Sequence, residues 1–464
     1  MTRPRTRWRR GCAPNSAERP GVVDGLIIAA PASGSGKTVV TLGLLRHLAR
    51  SGVHVASAKV GPDYIDPAFH AAASGKPCLN LDPWAMRPAT RRAIVSHLAE
   101  DARLVVCEGV MGLFDGATHD VGSTADVARW SGWPVILVVD VRAQAASAAA
   151  VVRGFATHRA GVHMGGVVFN RVGSTRHADV LRSALAEALP DLPILGMLPR
   201  DEALAVPERH LGLVQATEHT DLDAFLDRAA DAIAAHVDTA TLMTLARPAL
   251  DGIAAGNDGA DALAPLPPLG QRIAVADDAA FAFAYPAVLA GWRNRGADIM
   301  PFSPLADEAP DAGADALYLP GGYPELHAGR LAAAGCFLDG VRKAAQRGAV
   351  MLGECGGYMV LGDGLIDADG ARHAMAGLLQ LETSFSRPRL HLGYRDAALV
   401  ADGPLGRAGG RFRGHEFHYA RVEREGPGEA LFRCHDASGQ SLGTTGLRRG
   451  AVLGSFVHLI DAAG

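Results

Sequence analysis

Short apolar runs, separated by glycine-bearing loops and helical stretches, dominate the first half of the chain. The runs are mostly uninterrupted, as in strands buried on both faces of a parallel sheet. Segments rich in alanine and leucine lie between them, for example at 38–51 and 145–157. This alternation predicts a doubly wound α/β domain with a mostly parallel sheet, whose ligands gather at the carboxyl ends of the strands. The predicted strands are 23–30, 53–58, 103–107, 135–140 and 165–169.

The pattern is lost between residues 236 and 270, where Pro, Gly and Asp are frequent and no period is sustained. Such composition predicts an inter-domain linker. A new strand at 272–276 opens a second α/β domain. At the other end, five arginines and a polar, proline-bearing stretch lack the apolar segment of a secretory signal, which predicts disorder. The predicted organisation is a basic extension over 1–20, a first domain over 21–235, a linker over 236–270 and a second domain over 271–464.

The composition limits the binding partners and the cellular compartment that we expect for this protein. The 464 residues carry a formal net charge of −4, which gives no reason to expect nucleic acid or an anionic membrane as partner. No run of about 18 apolar residues occurs, so we expect no membrane span. The six cysteines lie far apart without a Cys-x-x-Cys pair, which fits the reducing cytoplasm and suggests no zinc site. Small-molecule substrates are the expected partners, and the oligomeric state stays open, with a homodimer as one option.

A phosphate-binding loop follows the first strand. In the segment 30–38, Gly36-Lys37-Thr38 has the sequence that ends a P-loop and opens a helix, although proline replaces the usual first glycine. Backbone N–H groups of Gly34, Ser35 and Gly36 would hold phosphates there, with Lys37 supplying positive charge and Thr38 a ligand for Mg²⁺. The segment therefore predicts an ATP site.

Carboxylates follow the second and third strands, at the same edge of the sheet as the P-loop. Because Mg²⁺ prefers hard oxygen ligands, Asp63 and Glu108 are expected to complete a metal site with Thr38. Asp66 and Asp115 would bind a second metal or orient the substrate. The alternative is that these aspartates are solvated turn residues.

Asn170 directly follows the strand at 165–169. Its carboxamide is expected either to bind an adenine edge or to cap a loop. A switch ATPase of the partitioning type is another possibility for this half of the chain. Such a protein would carry an extra lysine where this P-loop has Ala32, which counts mildly against it.

A cysteine lies in a glycine turn in the second half, in Gly353-Glu354-Cys355-Gly356-Gly357. An apolar run precedes it and a helical pattern follows, as at a nucleophile elbow. The N–H groups of Gly356 and of Gly322 would hold an oxyanion. A thiolate also needs a base, and His458 is our choice among the late histidines. The other candidates are His391, His415, His418 and His435, and a buried structural thiol is the alternative interpretation of Cys355.

Several longer strings resemble one family, the cobyrinate and hydrogenobyrinate a,c-diamide synthases. The resemblance covers roughly residues 22–460. It implies a dethiobiotin-synthetase-like ATPase domain fused to a class I glutamine amidotransferase domain. The strings are 59–67 (KVGPDYIDP), 80–84 (NLDPW), 108–116 (EGVMGLFDG), 207–210 (PERH) and 413–419 (RGHEFHY).

The resemblance also implies roles for individual residues. Cys355 matches the family's nucleophile and His458 its activating histidine. The acid that class I enzymes carry two residues after the histidine is replaced here by Ile460, a departure that this branch generally shares. Lys59 is expected to neutralise charge on the phosphoryl group during transfer.

The implied activity is ATP- and glutamine-dependent amidation of the a and c acetate groups of a corrin ring. Asp63, Tyr64, Ile65, Asp66 and Asp115 lie in loops at the strand ends and are expected to contact that substrate. Tyr64 offers a flat face and a hydroxyl for a large ring with carboxylate arms, or it simply packs the loop. A sibling enzyme that amidates another tetrapyrrole, of the cobyric acid or nickel–sirohydrochlorin type, remains open. The more distant alternative is an ATP switch with a degenerate amidotransferase-like domain.

Overall fold

The protein is described here from a computed structural model that covers residues 23–204, 208–209, 212–213, 215–219, 221–250 and 263–463. The predicted basic extension lies outside the described residues, as do Pro207, His210 and residues 251–262 of the predicted linker. Within the described ranges, none of the helices combines the length and apolar character needed to cross a membrane.

The strands of the first domain begin where its apolar runs begin. All five predicted strands are present, and the sequence pattern missed the short β3 and the partly exposed β7. The strands in the described part of this domain are β1 (Asp24–Ala29), β2 (Val55–Val60), β3 (Cys78–Leu81), β4 (Leu104–Glu108), β5 (Val135–Asp140), β6 (Met164–Val172), β7 (Ile194–Pro199), β8 (Glu208–Arg209), β9 (Gly212–Leu213) and β10 (Arg247–Pro248).

Helices cover the faces of this sheet. They are α1 (Lys37–Arg50), α2 (Asp66–Ser74), α3 (Pro88–Ala99), α4 (Thr124–Ser131), α5 (Ser147–Thr157), α6 (Thr175–Ala188), α7 (Leu222–His236) and α8 (Thr239–Leu245). The sheet has the order β3-β2-β4-β1-β5-β6-β7, with these neighbours parallel, and β10 pairs antiparallel with the start of β1. The carboxyl ends of β1, β2 and β4 are therefore adjacent, and the loops that follow them share one edge. The predicted doubly wound fold is confirmed.

The second domain has fourteen strands among the described residues. They are β11 (Arg272–Ala276), β12 (Asp298–Phe302), β13 (Ala316–Leu319), β14 (Val350–Glu354), β15 (Gly364–Ile366), β16 (Arg372–Ala374), β17 (Leu381–Ser384), β18 (His391–Leu399), β19 (Arg411–His418), β20 (Arg421–Glu425), β21 (Glu429–His435), β22 (Ser441–Arg449), β23 (Val452–Ser455) and β24 (Val457–Ala463). Its helices are α9 (Pro286–Asn294), α10 (Ala328–Ala333), α11 (Gly335–Gln346) and α12 (Gly356–Leu361).

The main sheet of this domain combines two kinds of pairing. Its order is β12-β11-β13-β14-β23-β22-β21-β18-β19-β24. The first five strands are parallel and the other five continue the sheet antiparallel. A smaller sheet has the order β16-β15-β17-β20. The second α/β domain is thus confirmed, with an antiparallel extension that brings β24 and its histidine back beside the rest of the site.

The segment 80–84 lies at the junction of the two domains. Asp82 accepts a hydrogen bond from the Tyr394 hydroxyl at 2.7 Å, and the guanidinium of Arg413 lies 4.7 Å from the centre of the Trp84 ring. Asp461, which is fully buried, accepts from the Arg87 guanidinium at 2.7 Å. These contacts between distant parts of the chain hold the strand-end loops of the first domain against β18, β19 and β24.

Part of the predicted linker belongs to the first domain instead of spanning between domains. Helix α8 follows α7 directly, and β10 adds to the first sheet. Leu263, Leu266 and Leu269, at the other end of the segment, are buried in the hydrophobic core. The connection itself therefore falls within a shorter stretch, and its boundaries stay a prediction.

Candidate active sites

The P-loop has the strained backbone that its glycines allow. Gly34 and Gly36 have φ of +77° and +89°, in the left-handed region that favours glycine. A side chain at position 36 would also overlap the Asn170 carboxamide. Asn170 donates a hydrogen bond to the Ser35 carbonyl at 3.0 Å, so its loop-capping role is present in the structure. Its contact with adenine stays a prediction.

A cavity of about 530 Å³ opens beside the start of α1. Its wall includes Gly36 and Val40 from the P-loop side, Asn170 from β6, Pro199 from the end of β7 and Ile233 from α7. The volume is in the range of small-molecule sites, and the lining combines apolar side chains with charged ones, among them Arg142, Arg171 and Arg200. The position suits a nucleoside whose phosphates extend into the P-loop. Burial lowers the pKa of the nearby Lys37 ammonium.

A buried charge network occupies the adjacent strand ends. Lys59 and Glu108 are direct neighbours in the register of β2 and β4. Lys59 Nζ lies 2.5 Å from Asp66 Oδ2 and 3.1 Å from Glu108 Oε1. The Thr38 hydroxyl donates to Glu108 Oε1 at 2.6 Å, and His70 Nε2 lies 2.6 Å from Glu108 Oε2. Because Lys59 is 1% exposed and Glu108 fully buried, each charge depends on its partners for stability.

The pKa shifts follow from these partners. Burial alone would raise the pKa of Glu108, but the Lys59 ammonium and the His70 hydrogen bond outweigh it and hold the carboxyl ionised. Burial alone would lower the pKa of Lys59, yet Asp66 and Glu108 raise it well above its usual range. Burial and the nearby Asp63 raise the pKa of Asp66 to about 6. The site is therefore a preformed cluster of ionised groups around one lysine.

The predicted metal ligands come together at this cluster. Asp63 Oδ2 lies 3.8 Å from Lys59 Nζ, and Asp63 Oδ1 accepts the backbone N–H groups of Ile65 and Asp66 at 2.8 and 3.1 Å. The available donors next to the P-loop are a threonine hydroxyl and carboxylates. This set of hard oxygens is the one that Mg²⁺ prefers, so the residues fit that ion.

Two predicted substrate contacts have other roles in the structure. Ile65 is buried in a hydrophobic core, and it does not line the cavity to which its neighbours Asp63 and Tyr64 contribute. Asp115 is exposed, and its Oδ2 accepts the N–H of Gly112 at 2.9 Å, which closes its own turn. Asp115 thus behaves as the alternative interpretation predicted, whereas Asp66 is buried against Lys59.

The nucleophile elbow is present around Cys355. The residue follows β14 directly, precedes α12, and has φ of +48° and ψ of −102°, which is strained for a side chain other than glycine. Its N–H donates to the Ser455 carbonyl at 2.8 Å. Strain of this kind persists where the surrounding structure imposes it, and it is typical of functional sites.

Cys355 and His458 face the same small space. A side chain at Gly321 would overlap His458 Cε1, and its Cβ would lie 3.3 Å from the Cys355 Cβ. Burial lowers the pKa of His458 to about 3, with His415 and His418 adding to the effect, so the imidazole is neutral. Burial raises the pKa of the Cys355 thiol well above its usual range. The pair is therefore a neutral thiol and a neutral base.

The predicted oxyanion donors also lie together. A Cβ built on Gly356 would be 3.1 Å from the Gly322 backbone nitrogen, and one on Gly322 would overlap the Ala280 carbonyl. Both positions therefore require glycine. The Gly356 N–H faces the Cys355 sulfur and partly offsets the increase in its pKa that burial causes. Two backbone donors next to the thiol match the arrangement expected of an oxyanion hole.

His418, one of the rival histidines, differs from His458 in its hydrogen bonds. His418 lines the Cys355 pocket, but its Nδ1 lies 3.1 Å from the Ala420 carbonyl and its Nε2 lies 2.9 Å from Glu416 Oε1. His458 is fully buried, and no side chain among the described residues makes a hydrogen bond to its ring nitrogens, although the backbone of Phe283 offsets part of the decrease in its pKa. A base must have a free nitrogen, so the hydrogen bonds favour His458 over His418.

One buried glutamate at this site was not predicted. Glu354 ends β14 beside the nucleophile, and its carboxylate accepts the Tyr318 hydroxyl at 2.7 Å and the Leu459 N–H at 3.0 Å. Burial raises its pKa to about 7. Because Leu459 follows His458, this contact fixes the strand that carries the histidine. The signal in the sequence was an acid directly before the cysteine, at the end of an apolar run.

The ring of Tyr64, from the first domain, lies against His458 in the second. The two rings stack with centroids 4.8 Å apart and planes at 27°. Tyr64 also stacks on Phe283, with centroids 4.3 Å apart and planes at 25°. The Tyr64 hydroxyl donates to the Phe417 carbonyl at 3.4 Å, and its ring is 7% exposed. The strand-end loop of the first domain thus reaches the cysteine site of the second.

A cavity of about 700 Å³ lies between the domains. Asp63 and Tyr64 line it from the first domain, and Arg395, His415 and Phe417 line it from the second. Its rim exposes three large apolar side chains, those of Met111, Leu392 and Leu442. A cavity with an apolar rim and a few charged groups suits a large, partly apolar molecule that carries polar arms.

Comparison with known protein families assigns two different family models to the chain, one to each of the two domains of the structure. The model of the CobQ/CobB/MinD/ParA nucleotide binding domain matches residues 26–214. The model of the CobB/CobQ-like glutamine amidotransferase domain matches residues 272–463. Fold, sites and family models together define a P-loop nucleotide-binding domain joined to a glutamine amidotransferase domain.

Relatives with a name cover nearly the whole chain. Hydrogenobyrinate a,c-diamide synthase of Brucella anthropi is 56% identical over 95% of this chain and 99% of its own length. The enzyme of the same name from Sinorhizobium sp. is 55% identical over 95% of this chain and all of its own length. A solved structure of a glutamine amidotransferase is 26% identical and covers 32% of this chain and 71% of its own, at a TM-score of 0.23, too low to bear on the fold. The chain belongs to the hydrogenobyrinate a,c-diamide synthase family.

Proposed function

We propose that the protein amidates the a and c acetate groups of hydrogenobyrinate, with ATP and glutamine as co-substrates. The observation that carries the proposal is the cavity between the domains. Asp63, beside the P-loop, lines one side of it, and Tyr64 and Phe417 separate it from the Cys355 pocket. A substrate in this cavity would reach both an activated phosphate and a source of ammonia. The names of the relatives supply the identity of the ring.

Glutamine would react in the second domain. His458 takes the proton of the Cys355 thiol as the sulfur attacks the carbon of the side-chain amide. The N–H groups of Gly322 and Gly356 stabilise the negative charge that develops on the carbonyl oxygen. The C–N bond breaks, the imidazolium returns the proton to the leaving nitrogen, and ammonia departs. Water then hydrolyses the thioester to glutamate and restores the thiol.

The acceptor carboxylate would be activated in the first domain. ATP binds with its phosphates against Gly34, Ser35 and Gly36, and Lys37 and Lys59 neutralise charge as the substrate oxygen attacks the γ-phosphorus. ADP leaves and an acyl phosphate remains. Ammonia attacks the acyl carbon, the C–O bond to phosphate breaks, and an amide and inorganic phosphate result. Two such rounds convert the two acetate groups.

We assign Mg²⁺ to the oxygens of Thr38, Asp63 and Glu108. The ion would neutralise negative charge on the phosphates of ATP. Asp66 is held by Lys59 and is assigned to orienting the loop and, with it, the substrate. Tyr64 and Asp63 line the cavity and contact the ring in this scheme.

The proposed function is tested by measuring the conversion of hydrogenobyrinate to its amides. The purified protein with ATP, Mg²⁺, glutamine and hydrogenobyrinate should form first a mono-amide and then a diamide, seen by mass spectrometry as two successive exchanges of OH for NH₂. Parallel reactions with cobyrinate, cobyric acid precursors and nickel–sirohydrochlorin separate the sibling activities. Amidation of one of those rings at a higher kcat/KM than hydrogenobyrinate would refute the assigned substrate. Absence of glutaminase activity in every reaction would favour the ATP switch.

Three further proposals describe the protein as a whole. We place it in the cytoplasm, in keeping with the free state of the cysteines that the structure describes. The units to express separately are 21–250 and 263–464, which moves the predicted limits 21–235 and 271–464, because α8 and β10 pack with the first sheet and Leu263, Leu266 and Leu269 are buried. A homodimer is one option for the oligomeric state, to be measured by light scattering during size-exclusion chromatography.

A further inference from the structure

Two residues lie between the two candidate reaction chambers. Tyr64 and Phe417 line both the large cavity between the domains and the small pocket that contains Cys355. They touch each other through the Tyr64 hydroxyl and the Phe417 carbonyl, and that carbonyl lies 3.9 Å from the Cys355 sulfur. The wall that the two spaces share is therefore formed by this pair.

The Cys355 pocket is closed in this structure. Its free volume is about 20 Å³, which is about the space of one water molecule and too small for a glutamine side chain. Its wall contains the rings of Phe283, Tyr323 and Phe385 in addition to the pair above. Glutamine can therefore enter only when part of this wall moves.

Tyr64 is the member of the wall that belongs to the other domain. Its neighbour Asp63 is tied to the Lys59 cluster, and the Pro62 carbonyl accepts the Tyr285 hydroxyl at 2.8 Å. The loop that carries the ring thus contacts the candidate metal and phosphate site at one residue and the second domain at another. A shift of Asp63 on binding of ligands would be transmitted to the ring of Tyr64.

We propose that Tyr64 is a movable partition between the two chambers, which positions His458 when closed and admits ammonia to the acceptor cavity when open. The partition rests on the proposed function, because it presupposes that ammonia made at Cys355 is used near Asp63. It explains why a residue of the nucleotide-binding domain stacks on the candidate base of the other domain. It also assigns the loop 61–66 to coupling in addition to substrate contact.

The first experiment measures coupling. The change is Tyr64→Leu, which removes the ring but keeps an apolar side chain, compared with Tyr64→Phe and with Phe155→Leu as a matched control. Phe155, on α5, is an aromatic residue of the first domain that lines neither the cavity between the domains nor the Cys355 pocket. Glutamate and amide are quantified in the same reaction, with amide-¹⁵N glutamine in the presence of unlabelled ammonium chloride.

For Tyr64→Leu we expect glutamate released per amide formed to rise about fivefold or more, since an open partition lets ammonia escape and hydrolysis proceed without ATP. Unlabelled nitrogen should enter the product more readily. Tyr64→Phe, which keeps the ring, and Phe155→Leu should keep the wild-type ratio. A wild-type ratio in Tyr64→Leu, with only the KM for the corrin raised, would refute the partition and leave Tyr64 as a wall of the substrate site.

A second measurement does not depend on any acceptor. Alkylation of Cys355 by iodoacetamide is followed by peptide mapping, with the exposed Cys336 as internal reference. We expect Tyr64→Leu to speed reaction at Cys355 relative to Cys336, and ATP with Mg²⁺ to do the same in the wild type. Equal rates in all cases would overturn the proposal. If the wild type fails to amidate hydrogenobyrinate but these rates change, the assigned function fails and the partition stands.

Discussion

Two buried glutamates end parallel strands at equivalent places in the two domains, and they have opposite electrostatics. Glu108 ends β4 and contacts Lys59 and His70, which hold its pKa below the usual range. Glu354 ends β14 and contacts only a hydroxyl and a backbone N–H among the described residues, so burial raises its pKa to about 7. The position in the fold is the same, and the partners decide the charge.

The difference shows how the two sites are prepared for their chemistry. Around Glu108 the charges are paired and buried before any ligand arrives, which suits a site that stabilises phosphates by preorganised electrostatics. Around Glu354 the thiol and imidazole of the second domain are neutral, and the pocket is closed by aromatic rings. The thiol and the imidazole are therefore expected to ionise only when the substrate binds. A preformed charged site and a dormant neutral one thus lie on either side of the cavity between the domains.

The largest effect is expected from Cys355→Ala, which removes the chemistry of the dormant site. Glutamine-dependent amidation should fall by about 10³-fold or more, because the nucleophile has no substitute. Amidation with ammonium chloride should persist, since the ATP site lies in the other domain. Both are measured as amide formed per enzyme. Cys336→Ala, an exposed thiol of the same domain, is the control, and loss of the ammonium-driven reaction in a folded Cys355→Ala would contradict the division of labour.

A smaller but still large loss is expected from Glu108→Gln, which removes the charge of the preformed site. Synthesis should fall on the order of 10²-fold, with either nitrogen source, because the cluster loses a charged oxygen that the phosphates and Mg²⁺ require. Hydrolysis of glutamine should be retained. The dependence of the rate on Mg²⁺ concentration is the second readout. Asp101→Asn, at an exposed position before the same strand, is the control, and an unchanged Mg²⁺ dependence would rule out the metal role.

The sequence predicted those parts of the molecule that depend on local patterns. Parallel strands are continuous apolar runs, and the P-loop and the cysteine elbow have glycines where the backbone requires them. Strands β20 and β22 were missed because they are largely exposed, so they carry no sustained apolar pattern. The pairing of β19 with β24 joins distant parts of the chain, so no local sequence pattern predicts it.

The contacts of site residues were predictable only in part. Lys59 and Glu108 could be placed at one sheet edge, because each ends a buried strand. The stacking of Tyr64 on His458 joins residues of different domains, so sequence motifs alone could not predict it. His70 and Glu354 were also missed, since their roles come from hydrogen bonds that only the packed structure defines.

The smallest effect, and the sharpest test of the comparison, is expected from Glu354→Gln. The folded-state pKa of Glu354 lies at about 7, above its ordinary value of 4.5, so the folded protein binds the extra proton. Its contribution to stability is therefore complete below the lower value and is lost as the pH rises through the upper one. Glutamine keeps the shape and an acceptor for the Leu459 N–H but cannot titrate.

The measurement is the urea midpoint of the wild type and of Glu354→Gln at several pH values between 4.5 and 7.5. The variant should be close to the wild type at the acid end and relatively more stable at the alkaline end, since the wild type there has to bury a charge or take up a proton when it folds. Glu423→Gln, at an exposed position on β20, should follow the wild type at every pH. Glutaminase activity of Glu354→Gln should change less than about tenfold, because the strand that carries His458 stays anchored. A difference between the midpoints that does not vary with pH would mean that Glu354 is ionised like Glu108, and the contrast between the two glutamates would fail.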